Sequence, residues 1–382
     1  MAKGTRTKPK VALAHEFLVH YGGAEKTFEA MADLFPDAPV YTAKYDPKNM
    51  PDSLNRRKII APKNTIVNKV TKYIFTFLMA PVFEGFDFSK YDMIISDGNT
   101  WNKGILTKPE QLHITYIHTP PRFLYKYSRE SSIRDKWYFR LPFSYLDNIL
   151  RLWDYTAAQR PDYIIANSKN VQRRVEKFYR RKATVINPPV GITEKGRADL
   201  PFELDKPYYC AIGRLAKYKN FHILVEAFNL LGIPLVVVGT GSEETQLKKM
   251  AGENILFTGF SSPEEKRVIL ENSLGLINPV EDEDFGMVPV EAMMCGIPVL
   301  VHKSGGHLET VVKGFNGMFF DEVSTEDLIA KMKIFDKAVR GNKFDKEKIK
   351  EAAQKYSEDR FKLEFKSFVD EKWEKFAGEA DR

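Results

Sequence analysis

The densest group of chemically useful residues runs from Glu283 to Glu291 and reads Glu-Asp-Phe-Gly-Met-Val-Pro-Val-Glu. It follows an apolar run that ends at Asn278, and seven residues separate the two glutamates. A carboxylate on the loop and a second on the following helix can each accept hydrogen bonds from hydroxyl groups. Backbone N–H groups near Gly286 and Met287, where that helix would begin, can bind an anion. The pattern predicts a site for a sugar or phosphate ligand, although either glutamate alone could be a solvated surface acid.

Two permanent cations follow another apolar run. Tyr208–Gly213 is typical of a buried strand, Arg214 comes directly after it, and Lys219 lies five residues further on. Two fixed positive charges at the end of a strand suit a diphosphate, which needs neutralisation while it is bound and more when it leaves. Solvated charges on a loop are the alternative for this pair taken alone.

Two histidines and a pair of glycines occupy similar positions in the first half of the chain. His118 closes one predicted strand, His15 ends another, and Gly22-Gly23 opens a helix. An imidazole there can hydrogen-bond a substrate hydroxyl or a developing charge. Glycines let backbone N–H groups approach an anion closely. Structural histidines and a plain loop-to-helix turn are the alternatives, and the glycines do not form the G-x-G-x-x-G of a dinucleotide site.

Two rival motifs overlap the Glu283 segment. Residues 282–284 form a D-x-D, which in some transferases holds a divalent metal, and residues 284–286 form the D-F-G of protein kinases. The kinase interpretation fails because the chain has no H-R-D-type catalytic loop and no glycine-rich hairpin followed by a V-A-I-K lysine. The metal interpretation stays open, but the two cations already described would make a metal unnecessary for neutralising a diphosphate.

Short β-rich runs alternate with helix-like segments almost throughout the chain, and this alternation must position the residues above. The runs do not alternate with polar residues, which is typical of strands buried on both faces, so we predict parallel, doubly wound sheets. Ligands of such sheets bind beyond the carboxyl ends of the strands, where the candidate residues stand. The predicted strands are Lys10–His15, Pro39–Tyr45, Asp92–Asp97, Leu112–His118, Tyr163–Asn167, Thr184–Asn187, Tyr208–Gly213, Pro234–Gly239, Ile255–Gly259, Gly275–Asn278 and Pro298–His302.

The length and the composition indicate two domains. The chain has 382 residues, of which 43% are hydrophobic, and this excludes a disordered protein. The strand pattern pauses over residues 187–206, which we interpret as an interdomain linker. We therefore expect one Rossmann-like domain over residues 1–190 and a second over 191–357, facing a central cleft. The helix of residues 358–382 is a candidate for crossing back to the first domain.

The charge is distributed unevenly between these halves. Residues 1–190 hold 31 basic and 18 acidic side chains, whereas residues 191–382 hold 27 and 33, for a net charge of +7. A basic half could face nucleic acid, an anionic membrane or a phosphorylated substrate. Two cysteines, Cys210 and Cys295, exclude a disulfide framework and favour a reducing compartment. No signal peptide is expected, and no apolar run reaches the roughly 20 residues that span a bilayer.

Taken together, the motifs resemble the retaining glycosyltransferases of family 4, or group 1, which have the two-Rossmann GT-B fold. The resemblance implies an α/β protein of GT-B fold that is a hexosyltransferase. The matching residues are Gly22-Gly23-Ala24-Glu25, His118-Thr119-Pro120, Asn167-Ser168, Pro188-Pro189-Val190, Gly213-Arg214-Leu215 with Lys219-Asn220, Val238-Gly239-x-Gly241, Glu283-x-Phe285-Gly286, Glu291-Ala292-Met293, Gly296-x-Pro298-Val299 and Gly305-Gly306-x₂-Glu309.

The resemblance implies four catalytic residues. Arg214 and Lys219 would bind the donor diphosphate and stabilise its departure. Glu283 would hold hydroxyls of the donor sugar, and His118 would contact that sugar near its anomeric centre. The leaving diphosphate would take the proton of the acceptor in a front-face reaction, so catalysis would consist of positioning and leaving-group stabilisation. No cofactor and no metal are implied, because the nucleotide-diphosphate sugar is itself the donor substrate.

The resemblance also implies a set of donor-binding residues. Glu291 would hold the ribose, Gly23 would bring a backbone N–H close to the diphosphate, and Gly259-Phe260 would line the base pocket. The complete set is Gly22, Gly23, Gly213, Gly241, Gly259, Phe260, Phe285, Gly286, Met287, Val288 and Glu291.

Residues 111–122 and 146–168 look closest to a mannosyltransferase-like subgroup that uses GDP-mannose. That subgroup often has a loop with serine and histidine where this chain reads Asp97-Gly-Asn-Thr-Trp-Asn102, so the identity of the acceptor is left open. A UDP-sugar-dependent hexosyltransferase of the same fold and a non-catalytic nucleotide-sugar-binding protein are the alternatives. A phosphorylase-like enzyme would need a pyridoxal lysine in its own sequence context, and none is identified.

The acceptor side carries basic and aromatic residues. They interleave between Thr119 and Arg140, and an apolar stretch, Tyr73–Phe83, is flanked by Lys69 and Lys72. Cations beside aromatic rings suit an anionic membrane surface, where a lipid-linked glycan acceptor of polysaccharide or glycolipid synthesis would lie. Core aromatics with solvated charges are the alternative. No nucleic-acid-binding motif accompanies the pattern, so we expect no nucleic acid partner. We expect a cytoplasmic protein that is either free or peripheral on the inner face of the membrane.

Overall fold

The computed structural model describes residues 8–62, 75–125, 140–192, 199–200, 202 and 206–380. These residues divide into two compact units. The first unit holds the described residues up to Tyr125, those from Arg140 to Pro189, and the final helix that begins at Glu358. The second unit holds the described residues of Val190–Ser357.

The first unit is built on a parallel sheet. Within the residues that the structure describes, the sheet has seven strands in the order β3-β2-β1-β4-β5-β6-β7. Every residue of β4 and β5 is buried, because helices cover both faces of a doubly wound sheet. The strands are β1 (Val11–Leu18), β2 (Val40–Tyr45), β3 (Ile59–Ile60), β4 (Met93–Gly98), β5 (Leu112–Ile117), β6 (Tyr163–Ala166) and β7 (Thr184–Val185).

Helices cover this sheet, and the final helix of the chain is one of them. Phe361, Phe365 and Val369 of that helix are fully buried in the same core as Tyr116 and Ile165 of the sheet. The helices of the first unit are α1 (Gly23–Asp33), α2 (Asp52–Asn55), α3 (Phe75–Glu84), α4 (Arg122–Tyr125), α5 (Arg140–Ala157), α6 (Lys169–Tyr179) and α14 (Glu358–Ala380).

The second unit repeats the architecture. Six described strands form a sheet in the order β10-β9-β8-β11-β12-β13, and all pairs are parallel. The strands are β8 (Tyr209–Ile212), β9 (Leu235–Val238), β10 (Ile255–Gly259), β11 (Leu276–Asn278), β12 (Val299–His302) and β13 (Gly317–Phe320). The helices are α7 (Phe221–Leu231), α8 (Glu244–Met250), α9 (Pro263–Glu271), α10 (Met287–Met294), α11 (His307–Thr310), α12 (Thr325–Arg340) and α13 (Lys346–Ala353).

The predicted fold class, two parallel doubly wound sheets, is confirmed, and the differences lie at strand ends and edges. His15 does not end β1, since the strand continues to Leu18 by pairing Phe17 with Lys44 and Leu18 with Tyr45 of β2. The predicted strand from Thr184 stops at Val185. The sequence analysis missed β3 and β13, which are short strands at the sheet edges. Their pairing depends on the neighbouring strand more than on their own residues.

Candidate functional site

Two predicted site residues of the second unit form an ion pair beyond the carboxyl ends of β8 and β11, which are neighbours in the sheet. The Lys219 Nζ atom donates a hydrogen bond of 2.8 Å to Glu283 Oε2, and the two side chains are only 20% and 16% exposed. Burial by itself would lower the pKa of Lys219, but the negative charge of Glu283 outweighs it and raises that pKa above its usual value. The ammonium group therefore stays charged within a mostly buried site.

The turn after Lys219 ties the two strand ends together. Lys219 ends a short 3₁₀ helix, Lys217–Lys219, and Asn220 follows it with a left-handed backbone at φ 57°. The Asn220 amide Nδ2 donates to the carbonyl oxygen of Pro279 at 3.2 Å, so the loop after β8 is bound to the segment that follows β11. Asparagine tolerates this conformation better than most residues. The approach of Lys219 to Glu283 is thus supported by the backbone of both loops.

A pair of glycines holds the backbone of Glu283. The Gly306 N–H donates to the Glu283 carbonyl oxygen at 2.7 Å. Gly305 has a φ of +58°, and a Cβ atom at that position would lie 2.3 Å from the same oxygen. No side chain fits there, so the Gly305-Gly306 motif is required by close contact with the loop that carries Glu283.

The predicted donor-binding residues 285–288 surround the start of helix α10. Gly286 precedes the helix with a φ of +89°, which favours glycine. The Phe285 side chain is buried and packs against Tyr356, with ring centroids 5.3 Å apart. Met287 and Val288 are half-buried and pack against the same core. Any contact of Phe285 with a ligand would therefore be made through its backbone.

His307 was not singled out from the sequence, yet it lies directly beneath Gly286. A Cβ atom at Gly286 would approach His307 Cδ2 to 3.1 Å. The His307 side chain is fully buried, its Nδ1 donates to the His302 carbonyl oxygen at 3.0 Å, and burial lowers its pKa to about 4. At neutral pH the imidazole is neutral and its Nε2 is an acceptor. Its position after the Gly305-Gly306 motif was the available signal.

Glu291 lies on α10 and pairs with a cation of the preceding helix. Its side chain is buried, and the Lys266 Nζ atom of α9 donates to Glu291 Oε1 at 2.6 Å. The alternative interpretation of Glu291 as a solvated surface acid is therefore wrong. Lys266 is a partner that the sequence analysis did not find, because it lies on a different helix from the motif.

The loops after β8 and β9 contact each other closely. Gly213 belongs to the first loop, and the exposed Arg214 follows it. Leu215 N donates to the Thr240 carbonyl oxygen at 2.9 Å, and a Cβ atom at Gly241 would lie 2.2 Å from the Leu215 oxygen. The packing of the two loops thus gives Gly241 a structural reason to be glycine, beside its predicted contact with the donor.

Phe260 and Gly259, the predicted base-pocket residues, have different surroundings. Phe260 is 81% exposed and lines a cavity of about 230 Å³. Gly259 is absent from the cavity wall, and its carbonyl oxygen accepts from Gly239 N at 2.7 Å. The other residues that line the cavity are Phe202, Leu256, Phe257, Thr258, Ser261 and Glu265.

In the first unit, two predicted histidines meet two carboxylates to which the sequence analysis assigned no role. Asp97, at the end of β4, is fully buried between them. Its Oδ2 lies 2.8 Å from His15 Nδ1, and its Oδ1 lies 2.8 Å from His118 Nε2. His15 Nε2 is in turn 3.6 Å from Glu25 Oε1 of α1. We call these four residues the histidine–carboxylate cluster.

The charges of the cluster shift each other's pKa values. Burial would lower the pKa of both histidines, but Asp97 and Glu25 outweigh it and raise the pKa of His15 to about 10. Asp97 likewise outweighs burial and raises the pKa of His118. Burial would raise the pKa values of the two carboxylates, but the histidines hold both below their ordinary values. His15, Glu25 and Asp97 are therefore charged near neutral pH, and Asp97 favours the protonated form of His118.

The glycine pair is connected to this cluster. Gly22 caps helix α1, and its N–H donates to Glu25 Oε2 at 2.9 Å, while Gly23 is the first residue of the helix. The Gly22 N–H is thus engaged within the chain, and the predicted contact of the Gly23 N–H with the donor diphosphate stays a prediction. The signal for Asp97 was available, since it ends a predicted strand and the carboxyl ends of parallel strands meet at one edge of the sheet.

The metal and membrane predictions fall partly outside the residues described. Where the structure describes side chains, no group of three or more His, Cys, Asp or Glu residues could hold a metal ion. Residues 126–139, the larger part of the predicted membrane surface, lie outside the described residues. In the stretch Tyr73–Phe83 the prediction is wrong for Met79 and Phe83, which are fully buried in a core with Tyr41. Among the helices that the structure describes, none has the length and apolarity to cross a bilayer.

Comparisons with known proteins point to one family. Residues 192–356 match the family model described as glycosyl transferases group 1. The alpha-1,3/1,6-mannosyltransferase alg2 of Schizosaccharomyces pombe is 26% identical over 278 residues, which cover 60% of this chain and 52% of that protein. A GDP-mannose-dependent alpha-mannosyltransferase of Corynebacterium glutamicum is 30% identical over 118 residues, which cover 31% of this chain and 28% of that protein.

Solved structures extend the similarity in fold over almost the whole chain. Anabaena HepE in complex with UDP has a TM-score of 0.68 at 16% identity, over 94% of this chain and 100% of that chain. At this identity the similarity bears on the fold alone, and it confirms the predicted GT-B fold. The chain spans about half the length of the first curated relatives that it matches.

Proposed function

We propose that the protein transfers a hexose from a nucleotide-diphosphate sugar to a glycan or lipid-linked glycan, because residues 192–356 match the family model described as glycosyl transferases group 1. The observation that carries this proposal is the ion pair of Lys219 and Glu283 beside the turn at Gly286. The pair places a cation suited to a diphosphate within hydrogen-bond distance of a carboxylate suited to sugar hydroxyls. Within this ion pair, each charge is compensated by the other.

The proposed reaction proceeds with retention of configuration and without a metal. The bond between the anomeric carbon and the diphosphate oxygen breaks while the acceptor oxygen attacks from the same face. The departing diphosphate takes the acceptor proton, so the products are the glycosylated acceptor and a nucleoside diphosphate. Lys219 and Arg214 stabilise the charge that develops on the diphosphate, and Glu283 orients the sugar. No protein nucleophile takes part.

We propose GDP-mannose as the donor. The names of the two similar proteins from Schizosaccharomyces pombe and Corynebacterium glutamicum support mannose, and the second also supports GDP. The solved structure of HepE contains UDP, which keeps a UDP-sugar as the competing donor. A thermal-shift panel of GDP, UDP, ADP and their sugars separates these donors, because the preferred ligand stabilises the folded protein most. Selective stabilisation by UDP-glucose would overturn the choice of GDP-mannose.

Transfer itself is tested with the preferred nucleotide sugar and a mixture of oligosaccharide and lipid-linked acceptors. The expected result is release of the nucleoside diphosphate together with an elongated acceptor whose new linkage keeps the anomeric configuration of the donor. Tight nucleotide-sugar binding without transfer or donor hydrolysis would favour a non-catalytic binding protein. An inverted linkage would contradict the retaining mechanism and leave sugar transfer standing.

We also propose that the first unit contacts an anionic membrane surface that carries the acceptor. Helix α5 exposes four large apolar side chains at spacings of four, three and three residues, Tyr145, Ile149, Leu152 and Tyr155, which lie on one face. Within residues 1–190 basic side chains outnumber acidic ones, and this positive charge is complementary to anionic lipid.

Vesicle co-flotation tests this membrane face. Binding is expected to rise with the fraction of phosphatidylglycerol and to fall in Leu152→Glu. The matched control is Leu363→Glu, which changes a leucine of similar exposure on α14 of the same unit. Equal loss of binding in both variants, or binding that does not depend on anionic lipid, would refute a specific role of α5.

A further inference from the structure

The histidine–carboxylate cluster alternates in charge from one end to the other. Glu25 faces His15 at 3.6 Å, His15 faces Asp97 at 2.8 Å, and Asp97 faces His118 at 2.8 Å. When both histidines are protonated, the order of charges is negative, positive, negative, positive across α1, β1, β4 and the end of β5. Buried charges are costly unless each is paired, and in this cluster each charged group has a neighbour of opposite sign.

The middle of the cluster is buried and its two ends are partly exposed. Asp97 is fully buried and His15 is 3% exposed, whereas Glu25 is 17% exposed and His118 is 12% exposed beyond the carboxyl end of β5. His118 Nε2 faces Asp97, so Nδ1 is the ring nitrogen that remains for a ligand. A doubly protonated ring presents Nδ1–H as a charged donor, whereas a neutral ring with its proton on Nε2 presents Nδ1 as an acceptor. The protonation state therefore decides what His118 can bind.

We propose that Asp97 is a positioning residue that holds His118 doubly protonated, so that Nδ1–H donates a hydrogen bond to a hydroxyl oxygen of the donor sugar. The proposal rests on the proposed function, because it takes the ligand of this sheet edge to be a nucleotide sugar. His15 neutralises the second oxygen of Asp97, and Glu25 anchors His15 to the turn at Gly22. Two strands and one helix thus support the orientation of a single imidazole.

The neighbours of His118 predict shifts of opposite sign. Asp97 and Glu25 favour its protonated form, and the like charge of His15 disfavours it. Asp97→Asn should therefore move the alkaline limb of the activity profile to lower pH, and His15→Gln should move it to higher pH. The strand of His118 adds the ring of Tyr116 at 5.2 Å, which stays neutral because burial raises its pKa. The positive charge of Arg360 on α14 would by itself lower the pKa of Tyr116, but burial outweighs it.

The first experiment measures the histidine titrations of this 382-residue chain without substrate by NMR, with His118→Gln to assign the signal. Asp97→Asn is expected to lower the pKa of His118, and His15→Gln is expected to raise it. The matched control is Asp92→Asn, the same change at the other end of β4, where the carboxylate accepts from Lys10 N. This control should leave the titration unchanged.

The second experiment measures kcat across pH with the nucleotide sugar that the thermal-shift panel selects. Asp97→Asn is expected to lower kcat by about 10- to 100-fold at alkaline pH and by less at acidic pH. The magnitude is that seen in metal sites when a carboxylate that orients a histidine is removed. An equal loss at every pH would indicate a purely structural role and would overturn the proposal. If Asp97→Asn does not fold, Glu25→Gln provides the test. Because Glu25 favours protonated His118, the alkaline limb of the activity profile should then move to lower pH.

The two measurements separate this inference from the proposed function. If the wild type transfers sugar but the limb moves in neither Asp97→Asn nor Glu25→Gln, the positioning role fails and sugar transfer stands. If the wild type transfers no sugar from any nucleotide donor, the proposed function fails. In that case, a pKa of His118 that is unchanged in Asp97→Asn would also overturn the proposed pairing of the two residues.

Discussion

Removing the amine of Lys219 is the most direct perturbation of the proposed donor site. In Lys219→Ala the diphosphate loses one preorganised cation whose Nζ lies 2.8 Å from Glu283. The loss of one such electrostatic donor lowers kcat on the order of 10²-fold, which corresponds to about 2.7 kcal/mol of transition-state stabilisation. Because the charge acts on the departing diphosphate, kcat should fall by a larger factor than KM rises.

The assay is steady-state release of the nucleoside diphosphate at saturating acceptor. The matched control is Lys217→Ala, which removes an exposed lysine from the same 3₁₀ helix and should leave kcat unchanged. Lys219→Arg keeps a positive charge with a different shape and should retain more activity than Lys219→Ala. A kcat for Lys219→Ala within about threefold of the wild type, or an equal loss in Lys217→Ala, would refute the reasoning.

Three further predictions concern stability. Gly305→Ala should lower the melting temperature more than Gly232→Ala. Both glycines have a left-handed backbone, but only at Gly305 would a Cβ atom collide with a backbone atom. Equal shifts in melting temperature would contradict this reasoning. Lys103→Met should cost about 3–5 kcal/mol in urea unfolding, because Lys103 and Asp154 form a buried ion pair, and Lys103→Met with Asp154→Leu should recover most of it. His307 titrates at about 4 in the folded protein and 6.5 when unfolded, so its contribution to the free energy of unfolding is complete above pH 6.5 and is lost as the pH falls towards 4. His307→Gln should remove up to about 1.4 kcal/mol per pH unit of that dependence, and an unchanged slope would show that other groups cause it.

The sequence by itself determined the fold class. Strands buried on both faces, such as Leu235–Val238, leave a signature of consecutive apolar residues that needs no knowledge of the neighbours. The motif residues Lys219 and Glu283 were also found locally, because each follows a strand and parallel strands present their carboxyl ends to ligands. Apolarity alone, however, could not tell a membrane face from a core, and so Tyr73–Phe83 was misread in part.

Only the tertiary structure decided which of these residues meet. Lys219 and Glu283 are 64 residues apart, and they form an ion pair because β8 and β11 are neighbours in the sheet. His15 and Asp97 are 82 residues apart, and the strand order β1-β4-β5 brings them together with His118. Local patterns reflect the propensity and burial of each segment. Contacts between distant segments follow from sheet order, and with them come the charges, pKa values and hydrogen bonds on which the proposed chemistry depends.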